Sequence, residues 1–511
     1  ATPEIVLLAA ACVIYVGGTI RRGRHLWGAA ALASLVVAAI VSWSGAVPGA
    51  SDRLSPLLPD KLAYFVKALA WIGGAAILLL SWNEVKDESA AEFHASLLLL
   101  IAGVSLVGAA NELITLFLSL ELISIPTYIL LYLPRSGARE QEAAIKYFLL
   151  SVFSSALLLF GFSYLYGIAG TTNLSDFYRG LAQQNATTHP YMFKIAFVLI
   201  VAGLGFRITA VPFHFYAPDV FQGAPISMAA LLAFVPKVAG FTALVRVMGY
   251  LFSDLGLNLV SHFQLSMLFW ILAIITMTTG NVLALLQNNL KRILAYSSIA
   301  HGGYMLVGLA ASPELAHGGS REGWFASLTG IDATFFYLVA YGAMTLGAFA
   351  VITYFQSADR PVETVDDLAG AGRSHPALAL TLGLFLLSLI GIPLTAGFAG
   401  KLLLFFSAVG VNDPANPETR RLFLALAVIG ALNAAIGAYY YLRILAAMFL
   451  RDPVRPLETK PHLPALATAA VCAFVTLVAG VYPDPLLHAA REATAPSTAI
   501  TSPAKTADSA R

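Results

Sequence analysis

Ionisable side chains interrupt several long apolar stretches of this sequence. Glu121 lies near the middle of a stretch at 113–133, Lys237 lies near the middle of one at 226–251, and Lys401 follows a stretch broken by Gly and Pro. A charge at the centre of a membrane-spanning helix costs about 2.5–3.5 kcal/mol on insertion scales unless it is paired or hydrated. Each of these residues is therefore either part of a charge pair that joins helices or a group that exchanges protons.

Opposite charges are available for only part of this set. Arg207 is the obvious partner for Glu121, and that pair could be structural or a titrating switch. Lys237 has no acid in its own stretch, so a purely structural role requires a partner elsewhere. Because burial favours the neutral amine over the ammonium, Lys237 is suited to carry protons near neutral pH. Lys401 could instead extend its head group to an interface.

A histidine lies between the two lysines in the chain. His301 follows Tyr296, Ser297 and Ser298 by one to two helical turns. Hydroxyls and an imidazole can hold a water chain and pass protons along it. A lone histidine in an apolar helix is more commonly a satisfied core residue, and this alternative stays open.

Further polar residues are weaker candidates. Asp332, Tyr337 and Tyr341 could extend the predicted chain of proton carriers, whereas His214 and Asp219 are expected only to cap broken helix ends.

The composition places these residues in a membrane. Of 511 residues, 58% are hydrophobic and 11% are charged, with a net charge of +2, whereas soluble domains carry roughly 25% charged residues. No basic face accumulates that would bind nucleic acid. Cys12 and Cys472 lie in distant apolar segments and cannot build a disulfide framework, a zinc site or an iron–sulfur site. Without a nucleotide-binding motif or a metal site, the chain is predicted to hold no cofactor.

The apolar runs predict an all-α polytopic membrane protein of about fourteen transmembrane helices. The predicted spans are 4–20, 27–47, 61–81, 94–110, 113–133, 140–168, 191–222, 226–251, 263–286, 293–311, 332–355, 376–409, 421–449 and 463–483.

Two of these spans are too long for a plain helix and contain Gly and Pro, at 203–219 and 391–401. Proline removes a backbone donor and clashes with the preceding turn, so both helices are predicted to break inside the membrane. Irregular backbone at that depth survives only in protein or beside a wet cavity. The second break comes five helices after the first, which favours two inverted five-helix repeats, helices 4–8 and 9–13, with ion sites near the midplane.

The predicted organisation has five parts. They are an N-terminal three-helix segment (1–90), a first repeat (91–252), a second, inverted repeat (253–450), a C-terminal helix (451–483) and a polar tail (484–511). Basic residues in short loops predict that both termini face outward. The loop residues that support this orientation are Arg21, Arg22, Arg24, Arg135, Arg139, Lys291, Arg292, Arg451, Arg455 and Lys460.

With these residues in view, the chain resembles the subunit N family of bacterial NADH-quinone oxidoreductase, the counterpart of mitochondrial complex I subunit 2. The resemblance runs from about residue 113 to 445. It is carried by Leu120-Glu-Leu-Ile-Ser, Ile145-Lys-Tyr147, Gly203-Leu-Gly-Phe, Val211-Pro-Phe-His214, Ala217-Pro-Asp-Val-Phe-Gln-Gly-Ala-Pro225, Lys291-Arg-Ile-Leu-Ala-Tyr-Ser-Ser298 with His301, Gly391-Ile-Pro393, Gly397-Phe with Gly400-Lys401, and Tyr439-Tyr-Tyr-Leu-Arg443.

The resemblance implies roles for the buried charges. Glu121 corresponds to the family's glutamate of the fifth helix, Lys237 to its central lysine and Lys401 to the lysine of the outward half-channel. The family's lysine of the seventh helix is replaced here by Arg207. Arginine stays protonated, so Arg207 is expected to modulate the proton path through its distance to Glu121 rather than to carry protons.

The resemblance also implies the setting. The chain would be a proton-translocating subunit in the membrane arm of NADH-quinone oxidoreductase, in the cell inner membrane, where it couples quinone reduction to proton transfer. NADH, FMN, iron–sulfur clusters and quinone would belong to other subunits, and the partners would be the other membrane-arm subunits, the hydrophilic arm and lipid. The alternative is an antiporter-like subunit of a cation/proton antiporter or of a membrane-bound hydrogenase-type complex. A third possibility is a stand-alone transporter, or a purely structural membrane subunit whose charges only pack helices.

Overall fold

The fold is described from a computed structural model of the chain. The structure describes residues 2–44, 55–133, 137–177, 190–249, 262–317, 328–355, 362–412, 417–454, 457, 459 and 462–495. Within these ranges the chain forms eighteen α-helices, one short 3-10 helix at Val365–Leu368 and no strand beyond isolated bridges. The protein is all-α, as the sequence predicts.

The helices follow one another with short connections. In chain order they are α1 Thr2–Ile20, α2 Arg24–Ser44, α3 Lys61–Ser81, α4 Ala90–Ala109, α5 Leu113–Tyr132, α6 Ala138–Ala169, α7 Pro190–Arg207, α8 Ala217–Gly223, α9 Ile226–Met248, α10 His262–Leu285, α11 Leu290–His317, α12 Gly330–Tyr354, α13 Ala371–Ser374, α14 Pro376–Ile390, α15 Ala396–Val409, α16 Pro417–Leu450, α17 Leu463–Val481 and α18 Asp484–Thr494.

Within the described ranges, twelve helices are long and apolar enough to cross a membrane. Two further spans are broken: α7 is followed by α8, and α14 is followed by α15. Counted as one span each, these two pairs bring the total to fourteen, which confirms the predicted multi-pass fold and both predicted breaks.

The centre of the bundle is α9, the helix that carries Lys237. Every residue of α9 is buried, and its neighbours α4 and α12 are almost completely buried as well. In contrast, α1, α2, α16 and α17 present many exposed apolar side chains, as expected of helices that face lipid. Lys237 is therefore enclosed by protein and is separated from the lipid-facing helices.

The two broken spans occupy the fourth place in each predicted five-helix unit, α4 to α9 and α10 to α16. The boundaries of the repeats and the outward orientation of the termini stay predictions. Of the basic residues used for orientation, Arg135, Arg455 and Lys460 lie outside the described residues. The first eleven residues of the predicted tail form α18, which packs on α3 and α12; residues 496–511 are likewise outside the described ranges.

Candidate proton-transfer site

The first break begins where α7 ends at Arg207. The amide of Ala210 donates to the carbonyl of Gly205 at 2.8 Å, and the amide of Thr209 donates to that of Phe206 at 3.1 Å. This is the Schellman pattern of helix termination, whose left-handed residue is usually glycine. Here that residue is Thr209, with φ of 57°. The chain then runs without helix to Ala217, where α8 begins.

A charge pair lies at the end of α7. Arg207 Nη2 is 3.4 Å from Glu121 Oε1 and donates to Ser124 Oγ at 3.0 Å. Ser155 donates a short hydrogen bond to the same Glu121 oxygen. The Arg207 side chain is 3% exposed, whereas that of Glu121 is 22% exposed. The structure thus brings the two predicted partners together and leaves part of the Glu121 side chain exposed.

Lys237 is completely buried and is held by hydroxyls. Its Nζ donates to Thr209 Oγ1 at 3.0 Å and to Ser298 Oγ at 2.6 Å. The ring of Tyr341 lies 5.8 Å from the same nitrogen. Among the described residues no carboxylate lies within ion-pair distance of Lys237. An amine in this setting gains hydrogen bonds but no counter-charge, so its protonation is not locked by an acid.

His301 is buried and bonded on both ring nitrogens. Its Nδ1 lies 2.5 Å from the Tyr337 hydroxyl, and its Nε2 lies 3.1 Å from the Tyr441 hydroxyl, which in turn bonds Ser297. The imidazole is thus a satisfied core residue and at the same time part of a chain of groups that can each accept or donate a proton. The two interpretations that the sequence left open, a satisfied core histidine and a proton-relay histidine, are therefore compatible.

Aromatic rings bridge the gaps between the ionisable groups. Tyr341 contacts both Lys237 and His301, whose ring centroid is 5.2 Å from its own. Tyr304 contacts His301 at 5.6 Å and lies 4.9 Å below Lys401 Nζ. The order along the site is therefore Lys237, Tyr341, His301, Tyr304 and Lys401, which keeps the order predicted for the three ionisable residues.

Lys401 lies at the second break, where α14 ends. Its Nζ donates to the carbonyls of Leu389 and Ile390, both at 2.8 Å. These carbonyls belong to the last turn of α14, where no following amide is available to bond them. Lys401 is 6% exposed, so it does not extend to an interface. The lysine instead satisfies the broken end of its own span.

Behind Tyr304 lies a buried cluster of amides and phenols. Asn281 donates to the Tyr304 hydroxyl at 3.0 Å and to Asn433 Oδ1 at 3.3 Å, and it accepts from Tyr440 at 3.1 Å. Sequence patterns did not single out Asn281 or Asn433, because amides in apolar helices carry no charge to mark them. They fix the position of the ring beneath Lys401.

The weaker candidates have separate positions. Asp332 caps α12, with its carboxylate accepting from the amide of Thr329 at 2.9 Å and from the hydroxyl of Thr494. Asp219, on α8, is paired with Lys146 at 2.8 Å and with Arg292 at 2.7 Å. His214 lies in the irregular stretch between α7 and α8. Of the weaker set, Tyr337 and Tyr341 join the site and Asp332 does not.

Other charged residues join helices of the bundle, and sequence analysis did not identify them. At one end of α9, Arg246 makes a bidentate pair with Asp60 at 2.6 Å; at the other end, Glu84 accepts from the amide of Ile226 at 3.2 Å. Lys67 is 2.9 Å from Glu4. Both ends of α9 are thus fixed by contacts that do not involve the proton-transfer site. Among the described residues no group of three or more His, Cys, Asp or Glu side chains is placed to hold a metal ion.

Several known proteins are similar to this chain in sequence. The transmembrane family described as NADH:quinone oxidoreductase/Mrp antiporter matches residues 110–429. NADH-quinone oxidoreductase subunit N 1 of Solibacter usitatus is 36% identical over 502 residues, covering 96% of each chain. Subunit N of Geobacillus kaustophilus is 39% identical over 503 residues, covering 94% of each. The chain belongs to the subunit N family of NADH-quinone oxidoreductase.

Solved structures extend the comparison to three dimensions. A chain of respiratory complex I from Thermus thermophilus, with bound aureothin, superimposes with a TM-score of 0.76 at 28% identity and covers 95% of this chain and 98% of its own. A chain of an archaeal membrane-bound sulfane sulfur reductase has a TM-score of 0.78 at 22% identity, over 96% of each chain. The second likeness shows the fold alone, so the subunit N family rests on the sequence relatives.

Proposed function

We propose that this chain is a proton-translocating subunit in the membrane arm of an NADH-quinone oxidoreductase. In this chain, quinone reduction elsewhere in the complex is coupled to proton transfer across the membrane. NADH, FMN, iron–sulfur clusters and quinone are bound by other subunits, and the chain itself contributes ionisable groups. Its partners are the other membrane-arm subunits, the hydrophilic arm and lipid, and its location is the cell inner membrane with both termini outward.

The observation that carries the proposal is the setting of Lys237. A buried lysine that only packs helices would be expected to have a carboxylate beside it, because an unpaired buried charge is strongly destabilising. Lys237 has two hydroxyl acceptors instead, at 3.0 and 2.6 Å. Its charge can therefore appear and disappear without leaving an acid unpaired, which is what a proton carrier requires.

The contacts support the role that we propose for each group in the path. Glu121 and Arg207 form the pair whose state sets the electrostatic potential near Lys237. His301 lies between the two lysines and is bonded to two phenols. Lys401 lies on the far side of Tyr304 and delivers the proton to the outward half-channel. Arg207 keeps its charge throughout, so it modulates the path and carries no proton.

Substitution of Lys237 tests the proposal. Lys237→Met retains most of the side-chain volume without the amine, so the assembled complex is expected to oxidise NADH with an artificial acceptor at the wild-type rate. Proton translocation into inverted membrane vesicles is expected to be lost, with quinone reduction strongly reduced. Lys237→Arg is the matched control: it keeps a charge that is not released and is also expected to stop translocation. Wild-type translocation in Lys237→Met contradicts the proposed function.

The cation/proton antiporter alternative has a separate readout. Isolation of the intact complex from the native membrane shows which subunits accompany this chain. Co-purification of iron–sulfur subunits with NADH-quinone reductase activity supports the proposal, whereas a complex of membrane subunits alone favours the antiporter.

A further inference from the structure

Thr209 occupies an unusual backbone position at the first break. It is the left-handed residue of the helix terminus, with φ of 57°, although a β-branched side chain disfavours that conformation and glycine normally takes it. At the second break the equivalent residue is Gly391, with φ of 94°. Such outliers persist where the surrounding structure holds them, and they concentrate at functional sites.

The hydroxyl of Thr209 is oriented by its own backbone. Thr209 Oγ1 donates to the carbonyl of Ile208 at 2.6 Å and accepts from Lys237 Nζ at 3.0 Å. A hydroxyl has one proton, so donation to Ile208 leaves its lone pairs directed to the lysine. The position of this acceptor therefore follows the backbone at 208–209.

The same backbone leads directly to the charge pair. Arg207, two residues before Thr209, is bonded to Ser124 and lies beside Glu121. Any shift of the Arg207 side chain that moves its backbone also moves residues 208 and 209. The chain thus offers a covalent route of three consecutive residues from the pair to Lys237.

Close packing keeps that route stiff. A Cβ atom on Gly240, one turn beyond Lys237, would lie 2.6 Å from the Ile208 side chain and 3.3 Å from Arg207 Cβ. A Cβ atom on Gly302 would lie 2.9 Å from the Ile208 carbonyl oxygen. The backbone at 207–208 is therefore in close contact with α9 and α11, and packed interiors transmit displacement rather than absorb it. An apolar cavity lies beside this contact and is lined in part by Gly205, Ile208 and Ala210.

We propose that Thr209 is a positioning residue that transmits the state of the Glu121–Arg207 pair to Lys237 through the backbone of the first break. The inference rests on the proposed function and adds to it a specific route. When the pair is tight, residues 207–209 hold the hydroxyl against Lys237; when the pair loosens, the hydroxyl withdraws and the lysine loses an acceptor for its ammonium.

Removal of the hydroxyl tests the route in the assembled complex. Thr209→Val keeps the shape and the branched side chain but has no acceptor, and proton translocation per NADH oxidised is expected to fall about three- to tenfold. Thr209→Gly fits the left-handed backbone without strain and is expected to give the same loss. Thr209→Ser retains the hydroxyl and is expected to recover most of the translocation. A loss in Thr209→Val with none in Thr209→Gly would mean that strain, not the hydroxyl, is responsible, and would overturn the proposal.

Thr242 supplies the matched control. It is a completely buried threonine on the same helix as Lys237, and its hydroxyl has no hydrogen-bond partner in the part of the chain that the structure describes. Thr242→Val removes an equivalent group from an equivalent depth and is expected to leave translocation unchanged. A loss equal to that of Thr209→Val would show a general response of the core and would contradict a specific role for Thr209.

The link to the charge pair requires a double-mutant cycle. Arg207→Lys is expected to retain part of the translocation, so its combination with Thr209→Val can be measured. If the pair acts through Thr209, the double variant is expected to lose no more than Thr209→Val alone. Fold-losses that multiply would mean two independent effects and would refute the route.

The failure of this inference can be distinguished from the failure of the proposed function. Translocation retained in Lys237→Met contradicts the proposed function itself, whereas loss in Lys237→Met with none in Thr209→Val contradicts only this inference.

Discussion

The two broken helices hold their lysines in different ways. At the first break, Lys237 comes from another helix and is bonded to the side-chain hydroxyls of Thr209 and Ser298. At the second break, Lys401 belongs to the same broken span and is bonded to the backbone carbonyls of Leu389 and Ile390. Both breaks end a helix with a left-handed residue, but Thr209 contributes a hydroxyl and Gly391 contributes only space.

The two kinds of acceptor suit the two lysines to different roles. The acceptors of Lys237 are hydroxyls, which can make hydrogen bonds to other groups when the lysine loses its proton. Thr209, for example, already donates to the carbonyl of Ile208. The carbonyls bonded by Lys401 have no other partner in their own turn. The first lysine is therefore suited to respond to the charge pair, whereas the second also stabilises the break beside which it lies.

The largest expected effect comes from removing Lys401. Lys401→Met leaves the carbonyls of Leu389 and Ile390 without a donor at bilayer depth, which costs about 1–3 kcal/mol for each group. Both proton translocation and the thermal stability of the purified complex are expected to fall. Lys237→Met is the control: it should lower translocation without lowering stability, because its acceptors are hydroxyls. Equal stability of the two variants would contradict the prediction that Lys401, unlike Lys237, stabilises its break.

A methyl group at Gly391 gives the next effect. Gly391→Ala places a Cβ in a left-handed conformation, at about 1–2 kcal/mol, and that atom would lie 3.2 Å from Lys401 Cδ. Translocation is expected to fall, and amide exchange near the end of α14 is expected to rise. The comparison is with Thr209→Gly, where the same backbone strain is relieved. If Gly391→Ala behaves as wild type, the second break does not depend on its left-handed residue.

Arg207→Lys is expected to be milder. A lysine keeps the positive charge beside Glu121 but has neither the fork geometry nor the reach by which Arg207 bonds Ser124. We expect less than about a threefold loss of translocation, since the Coulomb attraction is retained. The measurement is translocation per NADH oxidised, with Ser124→Ala as the control for the lost hydrogen bond. An inactive Arg207→Lys complex would show that geometry matters more than charge.

Tyr304→Phe is expected to have the smallest effect. The ring below Lys401 is retained, and only the hydroxyl that accepts from Asn281 is lost. Asn281 keeps its bonds to Asn433 and Tyr440, so stability should fall by about 1 kcal/mol and translocation by less than about twofold. Complete loss of translocation would place the Tyr304 hydroxyl itself on the proton path, in place of a cation–π contact.

Sequence alone determined the membrane fold, its fourteen spans and both breaks. These features depend on local properties, because apolar length sets a span and clustered glycine and proline residues favour the end of a helix. The charged residues were also evident from sequence, since each stands out in an apolar stretch. The pairing of Glu121 with Arg207 followed from charge balance and is present in the structure.

Only the tertiary structure determined which neutral groups hold those charges. Thr209, Tyr304, Tyr441 and Asn281 are polar residues of ordinary types, and nothing in their spacing connects them with Lys237, His301 or Lys401. Their contacts join residues far apart in the chain, such as His301 to Tyr441 at 3.1 Å. Hydrogen bonds of this kind depend on how helices pack, and packing depends on the whole bundle rather than on any one segment.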